Sequence, residues 1–98
     1  DLDAATRQKW TARTAAVPPR TTTDPIRLDG DDRFAVPVTI LSGTMDAESL
    51  PAALAQWGPW ADEYAAIRQA DVVHLDSGHW PQFSKPAALA RAILDAIG

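Results

Sequence analysis

The chain has 98 residues, 46% hydrophobic and 22% charged, with a formal net charge of -4. That length allows one small domain at most, burying about two-thirds of the surface its unfolded form exposes; scattered arginines on an acidic background argue against a phosphate-binding surface, and no run approaches the roughly 20 apolar residues of a membrane span. Cysteine is absent, which removes disulfides, thiolate metal ligands and a cysteine nucleophile.

Residues 1–33 read as a helix followed by a proline-rich connection. An acidic start and alanine-rich filling predict a short helix from about Asp3 to Thr14, with Trp10 on its apolar side. From Ala16 to Asp32, Pro18, Pro19, Pro25 and Gly30 leave no usable period, so the segment is expected to be extended and irregular. The sequence opens with no basic leader and no apolar signal core, and the expected location is cytoplasmic.

Residues 34–98 read as strand, helix, strand, helix, an α/β order. Phe34 to Ser42 predicts a strand, since Val36, Val38, Ile40 and Leu41 form the nearly continuous apolar run of a parallel strand covered on both faces. Pro37 fits only near its start. After Asp46 a loose helical region runs to Leu54. Gly58-Pro59 breaks it and opens a helix to about Gln69, in which Asp62 and Glu63 suit the positive end of the dipole. Trp60, Tyr64 and Ile67 share one stripe of that helix, and core packing is the expected role of Trp57, Trp60 and Tyr64, with lining of a substrate pocket as the alternative. Asp71 to Asp76 predicts the second strand. Pro86 to Ile97 predicts the closing helix, with Leu89, Ile93, Leu94 and Ile97 as a core-facing stripe and Gly98 past its end.

Two strands joined by a crossover helix in one sheet are parallel, so their C-terminal ends share an edge. Asp46 follows the first strand and His79 follows the second, and ligand-handling groups of open α/β sheets gather at this edge. A carboxylate that accepts from Nδ1–H fixes the tautomer and orientation of an imidazole and stabilises the imidazolium formed when Nε2 takes a proton. Asp46 is therefore the candidate orienting acid and His79 the candidate base. Gly43 and Gly78 suit tight strand exits, and Trp80, Pro81 and Phe83 are placed to wall the base, with Trp80 and Phe83 as candidate substrate contacts. His74, inside the second strand, reads as a structural histidine. The triplet Asp76-Ser77-Gly78 invites comparison with dimeric aspartic proteases, but those folds are almost all strand and the helical patterns here exclude them.

The segments Leu41-Ser42-Gly43-Thr44-Met45-Asp46 and Asp76-Ser77-Gly78-His79-Trp80-Pro81-Gln82-Phe83-Ser84-Lys85-Pro86 resemble the last two strand ends of the α/β-hydrolase fold, in its small esterase and hydroxynitrile-lyase-like branch. Arg13 and Pro19 through Leu28 resemble the connection from the cap to the core in that branch. The resemblance implies the C-terminal strand-helix-strand-helix part of a serine hydrolase acting on carboxylic esters, with Asp46 and His79 as triad acid and histidine and with no metal or organic cofactor. Such enzymes carry their nucleophile on a Gly-x-Ser-x-Gly elbow upstream of the acid. None of Ser42, Ser49, Ser77 and Ser84 stands in that context, so the elbow, the oxyanion hole and most of the sheet are expected outside this chain, in an N-terminal portion on the same polypeptide or a separate one. The alternatives are a lyase on the same scaffold, with His79 acting on a cyanohydrin hydroxyl, and a non-catalytic structural or interaction remnant.

Overall fold

The structure, a computed structural model, describes residues 2–98. Helix α1 spans Ala4–Thr11, and the Asp3 side chain caps it by accepting from the Thr6 N–H at 2.7 Å. The proline-rich stretch that follows is irregular apart from one 3-10 turn at Pro19–Thr22. A second 3-10 turn at Asp32–Ala35 leads to strand β1, Val38–Ser42. β1 therefore begins later than the sequence pattern implies: Pro37 has no N–H to give a ladder, and pairing starts at the residue after it.

The crossover consists of α2 (Ser49–Leu54), a 3-10 turn at Ala55–Trp57 and α3 (Pro59–Ala66). Strand β2, Ala70–His74, lies parallel to β1 with Val38 opposite Ala70 and Ser42 opposite His74. Pro81–Ser84 forms a single-turn helix α4, which the sequence reading treats as loop, and Pro86–Ile97 forms α5 with the expected boundaries. The α/β order and the parallel pairing agree with the sequence reading.

The core is thin. Among the described residues the buried hydrophobic side chains are Leu50 and Leu75, at 5% and 8% exposure. The accessible surface is 7944 Å², against about 5,400 Å² for a compact monomer of this mass. The radius of gyration is 16.2 Å, against about 13 Å for a compact domain of this length.

Two sequence expectations about the core are corrected. The α5 stripe does not face a core: Leu94 is 69% and Ile97 79% exposed. A sheet of two strands is too narrow to cover a twelve-residue helix, and the apolar face of α5 extends past it. Trp57 and Trp60 do not pack in a core either, since Trp60 is 70% exposed; with Leu54, Tyr64 and Ile67 they line an open groove of about 450 Å³. A second groove of about 640 Å³ runs between α5 and the sheet face carrying Thr39, Asp71, Val73 and Leu75. Arg33 ties the turn before β1 to α3, donating to Glu63 at 2.8 and 3.2 Å.

Candidate functional site

Pairing continues past both strands. The Leu75 N–H donates to the Ser42 carbonyl at 2.7 Å, and the Ser77 N–H donates to the Gly43 carbonyl at 2.8 Å. The two exit loops thus leave the sheet as one hydrogen-bonded corner. A Cβ on Gly43 would lie 2.6 Å from the Ser77 carbonyl oxygen and 2.8 Å from that of Gly78. No side chain fits there, so glycine is required by the close approach of two backbones. On the β2 side Asp76 adopts φ 46°, a left-handed conformation that aspartate tolerates better than most residues, and its carboxylate accepts from Lys85 Nζ at 3.2 Å. This turn aims the chain toward His79.

Asp46 lies three residues beyond Gly43 and His79 two beyond Ser77, both exposed. Asp46 Oδ1 accepts from Ser49 Oγ at 2.6 Å, from the Ser49 N–H at 2.8 Å and from the Glu48 N–H at 3.1 Å. In return, the Asp46 N–H donates to Ser49 Oγ at 3.0 Å. The pair forms a reciprocal cap on the N-terminal turn of α2. These bonds favour the charged form, and the Ser49 hydroxyl foremost holds the Asp46 carboxyl below its ordinary value. All three bonds fall on Oδ1, which leaves Oδ2 outside the cap. Ser49 is the site residue that sequence reasoning overlooked, although the spacing Asp46-x-x-Ser49 before a helix was the available signal.

The His79 ring meets Trp80 edge-on, with centroids 4.7 Å apart and planes at 80°. Trp80 faces Phe83 across 6.3 Å, and Phe83 stacks on Trp10 of α1 at 4.7 Å. The two candidate substrate contacts therefore stand beside the candidate base, in a row of rings that Trp10 completes. The sequence gives no signal for that stack, which joins residues at opposite ends of the chain. His74 closes β2 and is exposed.

Each serine hydroxyl has a local task. Ser42 Oγ accepts from the Met45 N–H, Ser49 serves Asp46, Ser77 donates to the Gly78 carbonyl and Ser84 to the Trp80 carbonyl. Among the described residues no three His, Asp or Glu side chains converge to hold a metal ion, and no helix is long and apolar enough to cross a membrane. Comparisons with family models, with curated proteins and with solved structures return no match.

Proposed function

We propose that this chain is the C-terminal catalytic part of an α/β-hydrolase-fold serine hydrolase that cleaves carboxylic esters. The single observation behind this reading is the bond from the Ser77 N–H to the Gly43 carbonyl at 2.8 Å, which joins the loop carrying an acid to the loop carrying an imidazole. His79 takes the proton of an attacking serine hydroxyl and returns it to the leaving alcohol. Asp46 fixes the ring and offsets the charge of the imidazolium. The depressed carboxyl of Asp46 suits that task, since it stays ionised wherever an imidazole can work as a base.

The nucleophile comes from outside these residues. The engaged hydroxyls of Ser42, Ser49, Ser77 and Ser84 and the uncovered faces of sheet and α5 both favour an N-terminal portion, on the same polypeptide or a separate one, that adds the elbow serine, the oxyanion donors and further strands. A fluorophosphonate probe tests this on the assembled protein. The expected label is one serine outside residues 1–98, and His79→Ala should abolish labelling. Labelling at Ser42, Ser49, Ser77 or Ser84, or no labelling of an assembled and folded protein, would sink the reading.

A further inference from the structure

The row of rings beside His79 ends in two cations. Lys9 Nζ sits 5.5 Å from the centre of the Trp10 ring and Arg13 Cζ 5.3 Å from it. Lys9 on α1 and Arg13 just past its C-terminal end both approach the indole that stacks on Phe83. Both are exposed, and neither has a carboxylate within 4.0 Å among the described residues. The charge is segregated: residues 4–23 hold Arg7, Lys9, Arg13 and Arg20 and no acidic residue, in a chain of net charge -4. A cation over an aromatic face keeps most of its capacity to pair with an anion, while the ring restricts where it sits. The ring row offers an apolar track, and its far end offers positive charge.

We infer that Lys9, Trp10 and Arg13 form a subsite for an organic anion, a carboxylate whose apolar body packs along Phe83 and Trp80 toward His79. The inference deepens the hydrolase reading by naming its substrate class, an ester that carries a free carboxylate at the end of its acyl part. The acyl chain lies on the aromatic track, and the carboxylate pairs with Lys9 and Arg13 in place of water. Trp10 is the positioning residue, because its stack on Phe83 brings both cations to the rim.

Two measurements on the assembled protein keep this inference separate from the hydrolase reading. In the first, hydrolysis of the para-nitrophenyl monoester of adipic acid is compared with that of para-nitrophenyl hexanoate. The anionic ester should be preferred, and the double variant Lys9→Gln with Arg13→Gln should reduce that preference about tenfold through KM, as expected for two exposed ion pairs. Added salt should erode the preference in the parent protein. In the second, benzoate is titrated against the indole N–H resonances, assigned with Trp10→Phe and Trp80→Phe, with benzamide as the neutral control. Benzoate should shift the Trp10 signal saturably, benzamide should not, and the double variant should lose the response. Hydrolysis of both esters with equal efficiency overturns the subsite, as does a Trp10 response that is absent or equal for benzamide. Hydrolysis of neither ester overturns the hydrolase reading, and the benzoate titration then decides the subsite alone.

Discussion

At the residue scale, the Asp46 carboxylate caps α2 and is also the acid of the proposed mechanism. Its Oδ1 caps α2 through Ser49 and Glu48, which restricts rotation of the group and leaves Oδ2 outside the cap. Asparagine can retain the cap through its carbonyl oxygen, but it cannot offset a positive charge. Under the proposed mechanism, Asp46→Asn in the assembled protein should therefore lower turnover by up to about four orders of magnitude with the circular dichroism spectrum unchanged. Unaltered turnover would remove Asp46 from the mechanism.

Ser49→Ala separates the cap from the charge. The Ser49 hydroxyl is the largest cause of the lowered Asp46 carboxyl, so its loss should move that group back toward the ordinary value. Because the folded form holds this proton more weakly than the unfolded one, the resulting stability is fully present above the ordinary carboxyl range. It is lost as pH falls through the folded value. In the Ser49→Ala variant that loss should be smaller and should be complete at a higher pH, as read by a carboxyl carbon titration of Asp46 alongside acid unfolding. A titration curve identical to that of the parent would show that the hydroxyl contributes nothing.

At the element scale, the ends of β1 and β2 act as one unit through Gly43. Gly43→Ala places a methyl carbon 2.6 Å from the Ser77 carbonyl oxygen, and backbone cannot yield as a flexible side chain does. The strands must splay, at a cost of about 1–3 kcal/mol typical of overpacking. A lower melting temperature together with a displaced His79 resonance is expected; a variant that melts with the parent would mean the corner can relax without penalty. Among the helices, the Glu63 carboxyl is lowered by its bond to Arg33. The stability this pair provides is likewise present above the ordinary glutamate range and lost as pH falls through the lowered folded value.

The elements differ in how far the sequence announced them. Pro86 fixed the start of α5 and Gly98 its end, because proline at the first turn and glycine past the last are backbone signals that need no tertiary partner. The crossover order and the shared strand edge followed from chain topology in the same way. Contacts between distant segments were not legible. Nothing local marks Trp10 as the partner of Phe83, and the apolar stripe of α5 reads as buried because periodicity reports which face is apolar and not whether anything lies against it. Trp57 and Trp60, on either side of the Gly58-Pro59 break, misled for the same reason. At Asp46 the cap and the candidate triad acid share one sequence position, and the Asp46-x-x-Ser49 spacing that marks the cap is resolved by the bonds between the two side chains.

At the scale of the whole molecule, surface dominates. Among the described residues two hydrophobic side chains are buried and the sheet has two strands, so little apolar area leaves water, which supports the proposed incompleteness. The 98-residue chain on its own should melt without a cooperative transition, bind a hydrophobic dye and scatter light as a polydisperse sample. Addition of the complementing portion should restore a sharp melt. A monodisperse, sharply melting monomer of this chain alone would contradict the proposed incompleteness.

The bond from the Ser77 N–H to the Gly43 carbonyl has a thermal corollary. Where proton-transfer groups sit on independent flexible segments, warming can scatter them and extinguish turnover long before the scaffold fails. Here the two segments are riveted by the same ladder that defines the sheet. On the proposed hydrolase reading, heat inactivation and melting of the assembled protein should then trace one curve, with no interval in which the protein is folded yet inert.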